Sequence, residues 1–132
     1  MKYLLDTNIL SDIIRTPSGI AAERFAKAER GELGTSIIAA AELRFGYVRV
    51  SSKRLEREIE GILSAIEIAD WRAPADLRYA TIRAELEKIG VSVGQNDMLI
   101  AAHASALEVT LVSDDRVFSR VPGLKVENWL RA

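Results

Sequence analysis

The stretch YLLDTNILSDIIR, residues 3–15, joins the two kinds of element that decide the fold. Its first three residues, Tyr3 to Leu5, are apolar and predict the end of a buried strand. The apolar residues between Ile9 and Ile14 recur at helical spacing and predict a helix. Asp6 stands at the junction, where a neutral residue could also cap the helix. A carboxylate at the end of a strand that enters the core therefore needs an explanation.

Length and composition restrict the class of protein. The 132 residues are enough for one domain with a sizeable core, so we predict a single domain over residues 1–132. The chain has no cysteine, which excludes disulfides, thiolate metal sites and cysteine nucleophiles. No apolar run is long enough for a membrane span or for a signal peptide, so we expect a cytoplasmic protein without membrane contact. Because the net charge is −1, a phosphate-bearing partner would have to be held by local arginines or metal ions.

Strand and helix patterns alternate along the chain. Strands are predicted near residues 2–6 and within GELGTS (31–36), AIEIAD (65–70), VTLVSDD (109–115) and LKVENW (124–129). Helices are predicted over residues 8–15, 20–30, 37–50, 52–66, 74–89 and 96–107. This alternation indicates an α/β fold, with a parallel sheet and helices on both faces.

Acidic residues recur where strands end or where a buried helix begins. Asp6 follows the first strand, and Asp114 and Asp115 follow the strand in VTLVSDD. Asp97 lies in the first turn of the nearly apolar helix NDMLIAAHASAL. Each acid alone is as well explained by a helix cap or a turn as by a function. Because ligand sites of parallel sheets form at the carboxyl ends of strands, the set predicts acids that meet at one edge.

Glu42 is the most informative acid. On a helix its neighbours are Ile38 and Ala39 before it, and Phe45 and Gly46 after it. An ionised glutamate on such a face is costly unless it reaches water at the sheet edge or joins a charged site. Since an apolar helix face rarely carries a lone carboxylate, we favour the charged site.

Converging carboxylates favour a metal ion. Two unit charges about 4 Å apart repel by roughly 4 kcal/mol at an effective dielectric near 20, so several such pairs need a cation. Carboxylate ligands, with no cysteine and one histidine in the chain, suit Mg²⁺ or Mn²⁺ rather than zinc or copper. A carboxylate-bound Mg²⁺ typically serves phosphate chemistry.

Four segments together resemble the PIN-domain ribonucleases of the VapC type, the toxins of bacterial toxin–antitoxin pairs. They are LLDTNILS, TSIIAAAELRFG, VGQNDMLIAAHA and LVSDDRVFSRVPGLKVENW, and they span Leu4 to Trp129 in the family order. The resemblance implies one PIN-like domain with a five-stranded parallel sheet, helices on both faces and an acidic metal site.

The resemblance also implies the residues of that site. It gives a metal-binding and catalytic role to one acid in each segment: Asp6, Glu42, Asp97 and Asp115. The fourth position is expected two residues after Ser113, but the adjacent Asp114 could share or replace the role of Asp115. Asn8 and Ser113 are candidates for orienting the carboxylates through hydrogen bonds, although Asn8 could equally be a helix-start residue.

The activity and partners implied are those of a toxin. We expect endonucleolytic hydrolysis of RNA with Mg²⁺, for which Mn²⁺ could substitute. The family suggests transfer RNA as the substrate, and ribosomal and messenger RNA are the open alternatives. The partners would be a small VapB-type antitoxin, which alone contacts operator DNA, and a second copy of the chain in a homodimer. The apolar residues of the helical stretch Ala39–Ile66 could meet the antitoxin or lie in the core.

Two other functions are compatible with parts of the pattern. A receiver-like phosphotransfer domain also carries acids at strand ends, but no lysine closely follows the last acidic strand. A non-catalytic binding module would not need the full acid set. His103 is interpreted as a core or interface residue, and Arg44 and Arg116 either as phosphate contacts or as members of structural ion pairs.

Overall fold

A computed structural model describes residues 1–131 and shows five parallel strands in one sheet. The strands are β1 (Tyr3–Leu5), β2 (Leu33–Ser36), β3 (Glu67–Ala69), β4 (Thr110–Val112) and β5 (Val126–Glu127). The α-helices are α1 (Thr7–Arg15), α2 (Ile20–Lys27), α3 (Ile37–Val50), α4 (Lys53–Ser64), α5 (Ala75–Lys88) and α6 (Gln95–Leu107). A 3-10 helix covers Arg116–Arg120. The predicted α/β fold with a five-stranded parallel sheet is confirmed.

The first strand lies in the centre of the sheet. The strand order is β3-β2-β1-β4-β5, and every neighbouring pair is parallel. Leu4 of β1 is in register with Gly34 on one side and with Leu111 on the other. The carboxyl ends of β1, β2 and β4 therefore meet at one edge, and the residues that follow these strands become neighbours.

Helices cover both faces of the sheet because successive strand residues point to opposite sides. Leu5 and Val112 belong to one apolar cluster, which they share with α1, α2 and α4. Leu4 and Leu111 belong to a second cluster, which they share with α5 and α6. All four strand residues are fully buried, and burying one such side chain is worth about 1.5–3 kcal/mol. Both faces of the sheet are therefore covered by helices, which explains why its strands are apolar at nearly every position.

The helix α6 is buried over much of its surface, as its composition predicts. Its buried residues are Met98, Ile100, Ala101, Ala102, His103 and Ala104. Ser52 caps the N-terminus of α4, because its hydroxyl accepts a hydrogen bond of 3.1 Å from the backbone N–H of Leu55.

Two local features differ from the sequence prediction. The helix α2 ends at Lys27 rather than at residue 30, because the chain turns there: the N–H of Glu32 donates to the carbonyl of Glu29, and Gly31 has a φ of 89°. The 3-10 helix was not predicted, since five residues are too few to show a helical periodicity.

Within residues 1–131, no helix is both long enough and apolar enough to cross a membrane.

Candidate functional site

Asp6 lies at the carboxyl end of the central strand and is only 3 % exposed. Its backbone N–H donates to the carbonyl of Val112 in β4, which extends the sheet by one bond. Oδ1 accepts a 2.8 Å hydrogen bond from the N–H of Thr7 and thereby caps α1. Oδ2 accepts a 2.8 Å bond from the hydroxyl of Ser113 and a longer bond of 3.4 Å from the Asn8 amide. Asp6 is thus both a helix cap and a buried, firmly held carboxylate.

Burial raises the pKa of Asp6 above its ordinary value. The hydrogen bonds from Ser113 and Thr7 stabilise the charged form and oppose that shift, while the charge of Asp115 adds to it. The carboxylate is therefore kept in a costly environment next to another acid.

Asp97, in the first turn of α6, is the acid whose pKa is affected by the charges of all three other acids. Burial raises its pKa to about 6, and the negative charges of Asp115, Asp6 and Glu42 push it in the same direction. Glu42 on α3 is exposed to solvent, yet partial burial and the charge of Asp6 raise its pKa as well. These mutual effects show that the four predicted acids converge at one edge of the sheet.

The two adjacent acids after β4 have different neighbours. Asp115 caps the 3-10 helix, since its Oδ1 accepts a 3.0 Å hydrogen bond from the N–H of Val117, and its charge acts on both Asp6 and Asp97. Oδ1 of Asp114 instead accepts a 2.8 Å bond from the side chain of Asn128. The geometry therefore groups Asp115, and not Asp114, with the other acids.

Ser113 and Asn8 form hydrogen bonds to the acids and to the backbone around them. The buried Ser113 hydroxyl donates to Asp6 and accepts a 3.0 Å bond from the N–H of Asp115. Asn8 donates to Ser113 over 3.3 Å and to Asp6, and its side-chain oxygen accepts from the N–H of Asp114. One hydroxyl and one amide therefore tie the end of β1 to the end of β4.

The donor set fits a hard divalent cation. All four acids offer carboxylate oxygens, which Mg²⁺ and Mn²⁺ prefer, and the raised pKa values of Asp6, Glu42 and Asp97 mark a site that a cation would stabilise. In residues 1–131, no three His, Asp or Glu side chains are arranged to grip an ion in their present rotamers. Glu42 and Asp115 are exposed, so their side chains have room to change rotamer.

Comparison with known proteins decides the family. The PIN domain family model matches residues 3–124. The chain belongs to the PIN domain family, as a member of its VapC branch. It is 36 % identical to the ribonuclease VapC2 of Rickettsia felis, and the alignment covers 98 % of both chains. It is also 36 % identical to the tRNA(fMet)-specific endonuclease VapC of Shigella flexneri, again over 98 % of both chains.

A solved structure supports the same conclusion. The crystal structure of VapBC2 from Rickettsia felis, bound to a DNA fragment from their promoter, contains a chain that matches with a TM-score of 0.86 and 36 % identity. The match covers 98 % of this chain and 99 % of that one. Membership of the VapC branch, inferred above from four segments, is confirmed, and it argues against the receiver-like alternative.

Two other candidates have structural roles in this VapC-type chain. His103 is buried and its Nδ1 lies 2.8 Å from the hydroxyl of Ser36, so it is a core residue, as interpreted. Burial lowers the pKa of His103, and the backbone carbonyl of Asp70 opposes the shift. Arg44 forms two hydrogen bonds, of 3.0 and 3.1 Å, with the carboxylate of Glu60, which is the ion-pair alternative.

Sequence reasoning missed two polar residues next to the acids. The amide of Asn96 stabilises the charged form of Glu42 and opposes the rise of its pKa. Asn128 binds Asp114 from the far side of β4. Asn96 could have been noticed because it precedes Asp97 directly, whereas the contact of Asn128 depends on the pairing of β4 with β5.

Proposed function

We propose that this VapC-type protein is a metal-dependent endoribonuclease that acts as the toxin of a toxin–antitoxin pair. The observation that carries the proposal is the convergence of charge on Asp97, whose pKa is raised to about 6 by burial and by three other acids. Such a cluster costs stability, and acids with perturbed pKa values at the edge of a sheet are a frequent sign of an active site.

The residues that would hold Mg²⁺ or Mn²⁺ are Asp6, Glu42, Asp97 and Asp115. When bound, one or two such ions would supply the positive charge that the chain lacks overall, polarise the scissile phosphate and acidify a water molecule. Asp6 is the fixed member of this set, because four hydrogen bonds from Thr7, Asn8 and Ser113 hold its two oxygens.

The chain's own residues would position the substrate at an open edge. Glu42, Asp115 and Asp114 are exposed, so a polymer can approach the acids without entering a closed cavity. Arg116 begins the 3-10 helix directly after Asp115 and is exposed, which makes it the arginine best placed to contact a phosphate beside the site. Arg44 is less suited, since its guanidinium already binds Glu60.

RNA is the proposed substrate class, and transfer RNA the first candidate within it. The support comes from relatives that are named ribonucleases, and from the Shigella flexneri relative that is named for tRNA(fMet). A cytoplasmic location follows from this proposal, because it is where such a substrate is found.

The proposed partners are a VapB-type antitoxin and a second copy of the chain. The Rickettsia felis relative was solved as VapBC2 on promoter DNA, and we propose that this chain reaches operator DNA only through its antitoxin. Of the apolar residues in the stretch Ala39–Ile66, Ile59, Ile62 and Leu63 are core residues, whereas Phe45 and Val48 are 60 % and 65 % exposed. Only the exposed residues of this stretch are therefore candidates for a partner surface.

The test is cleavage of RNA by the purified protein. Total transfer RNA is incubated with the protein in Mn²⁺, in Mg²⁺ and in chelator, and the new 5′ ends are mapped. We expect cleavage at few positions in either metal and none in chelator. Full cleavage in chelator would contradict the metal-dependent mechanism, and no cleavage of transfer, ribosomal or messenger RNA would contradict the nuclease assignment.

A further inference from the structure

A chain of hydrogen bonds connects the last strand of the sheet to Asp6. It starts at Asn128, immediately after β5, whose Nδ2 donates to Oδ1 of Asp114 over 2.8 Å. The Asn128 side-chain oxygen accepts a 2.9 Å bond from the N–H of Leu130. Because an amide oxygen only accepts and its nitrogen only donates, these two contacts fix the orientation of the Asn128 side chain.

The second step runs from Asp114 to Asn8. The backbone N–H of Asp114 donates to Oδ1 of Asn8 over 3.1 Å. With its oxygen engaged there, Asn8 must turn its NH₂ group the other way, toward Oδ2 of Asp6 at 3.4 Å and the hydroxyl of Ser113 at 3.3 Å. The position of Asp114 therefore sets the direction in which Asn8 donates.

The chain of hydrogen bonds adds to the pairing of β5 with β4, which is limited because β5 is short. This edge strand has two residues and pairs with β4 through two registered positions, from Leu111↔Val126 to Val112↔Glu127. The turn that follows β4 carries two exposed acids of like charge, Asp114 and Asp115, which tend to move apart. A donor on the β5 side that holds Asp114 fixes this turn, and with it the N–H of Asp115 on the Ser113 hydroxyl.

We propose that Asn128 is a positioning residue of the acidic site and that Asp114 serves the site through Asn128 and Asn8 rather than as a ligand. The proposal rests on the proposed function, since it concerns the same four acids. Asp114 is absent from the charges that raise the pKa values of Asp6, Glu42 and Asp97, in keeping with a carboxylate that faces Asn128.

The experiment exchanges the two partners. Asn128→Ala removes the donor, and Asn128→Asp sets a carboxylate against Asp114 while it keeps an acceptor for Leu130. The double variant Asp114→Asn/Asn128→Asp restores a donor and an acceptor with the roles reversed. The control is Glu127→Ala, which removes a different hydrogen bond at the same strand end, the 3.2 Å bond from Trp129 Nε1.

Three quantities are measured for each protein: the affinity for Mn²⁺ by calorimetry, the melting temperature in chelator, and kcat and KM for RNA cleavage. We expect both single Asn128 variants to bind Mn²⁺ about tenfold more weakly and to lose kcat by a similar factor, as is usual when outer-sphere partners of a metal site are removed. KM should change little. The exchanged double variant should recover to within about twofold of the wild type, and Glu127→Ala should match the wild type in Mn²⁺ affinity.

Other outcomes overturn the proposal. If Asn128→Ala lowers only the melting temperature, Asn128 has no more than a structural role. If the exchanged variant stays as weak as Asn128→Asp, Asp114 acts as a ligand itself. The Mn²⁺ titration does not depend on the identity of the substrate, so a wild-type protein that binds Mn²⁺ but cuts no RNA would count against the proposed function and leave this inference intact.

Discussion

At the scale of single residues, Asp6 answers the question raised by the opening stretch. A neutral cap could accept the Thr7 N–H. Asp6 also brings a negative charge to the end of β4, where its second oxygen accepts a hydrogen bond from the hydroxyl of Ser113. The two oxygens divide these tasks, since Oδ1 serves the helix and Oδ2 faces the end of β4. A substitution at Asp6 can therefore separate the structural task from the chemical one.

Asp6→Asn and Asp97→Asn should each abolish RNA cleavage without unfolding the protein. Both changes remove a negative charge at nearly constant volume, and an amide oxygen at position 6 can still accept the Thr7 N–H. We expect each variant to lose at least about a hundredfold in kcat, because losing a metal ligand should cost at least as much as losing an outer-sphere partner. Cleavage assays in Mn²⁺ and circular dichroism measure the two properties, and near-wild-type cleavage by both variants would contradict the assignment of the acids.

Asp115→Asn should impair cleavage more than Asp114→Asn. The charge of Asp115 acts on Asp6 and Asp97, whereas Asp114 faces Asn128 and an amide there can still accept a hydrogen bond. We expect a loss of about a hundredfold for the first variant and less than about threefold for the second. The comparison is made at limiting Mn²⁺, and the reverse order would assign the fourth ligand to Asp114.

The residues of the site were predictable from the sequence where strand ends and helix starts place them. Strand ends and a helix start point to Asp6, Asp97 and the pair Asp114 and Asp115, whereas Glu42 was singled out by its apolar helix face. Within the pair, only the family segments favour Asp115. The partner of Asp114 was not predictable, because Asn128 meets it only through the register of β4 with β5, and no local pattern encodes that register.

At the scale of the elements, one polar contact joins the two helices that carry Glu42 and Asp97. The hydroxyl of Ser36 caps α3 by accepting a 3.1 Å bond from the N–H of Ile38, and it also lies 2.8 Å from Nδ1 of His103 on α6. Ser36 and His103 are both buried, and Nε2 of His103 has no hydrogen-bond partner within residues 1–131. Ser36 is therefore the hydrogen-bond partner of the buried Nδ1.

Ser36→Ala should destabilise the protein more than Ser52→Ala. Both changes delete a serine N-cap, which costs about 1 kcal/mol, but only the first also leaves a buried imidazole nitrogen without a partner, at about 1–3 kcal/mol more. Urea unfolding of the two variants measures the difference. Equal losses of free energy of unfolding would show that the contact with His103 contributes nothing.

The elements themselves were largely predictable, and the exceptions are short or end in turns. Periodicity gave α3 and α6 nearly to the residue because each is long and strongly apolar. It could not show that α2 stops at Lys27, since Arg30 continues an acceptable helical composition and the stop comes from a turn at Gly31. The 3-10 helix, Arg116–Arg120, owes its start to the cap at Asp115.

At the scale of the whole molecule, the acidic edge makes stability depend on pH and metal. Asp97 has a pKa of about 6 in the folded chain against 3.8 for the unfolded one. Its contribution to stability is complete below pH 3.8 and is lost as the pH rises through 6. Burial lowers the pKa of His103, which has the opposite effect: its contribution to stability grows as the pH rises toward 6.5, the value in the unfolded chain, and is complete above that pH. A variant that removes only the Asp97 charge is needed to separate the effects of Asp97 and His103 on stability.

In chelator, the stability of Asp97→Asn relative to that of the wild type should rise when the pH is raised from about 4.5 to about 7.5. We expect a relative gain on the order of 1 kcal/mol, after discounting for the partial exposure of Asp97, or roughly 4 °C in melting temperature. At pH 7.5 a hundredfold excess of Mn²⁺ over its dissociation constant should return about 2.7 kcal/mol to the wild type and less to the variant. Thermal melting in chelator and in Mn²⁺ measures both effects, and equal responses of the two proteins to pH and metal would disprove a shared site.

The central position of β1 also decides when the protein can become active during its own synthesis. The neighbours of β1 are Leu33–Ser36 and Thr110–Val112, so the second edge of β1 is paired only after the long segment from β1 to β4 has been made. Asp6 leaves the ribosome well before Asp115 and Asn128, which lie far behind it in the sequence. A nascent chain that is still attached near residue 110 has neither a closed sheet nor a complete set of acids. The order of the strands thus keeps the acidic site from assembling until the segment that contains β4, Asp115 and Asn128 has been made.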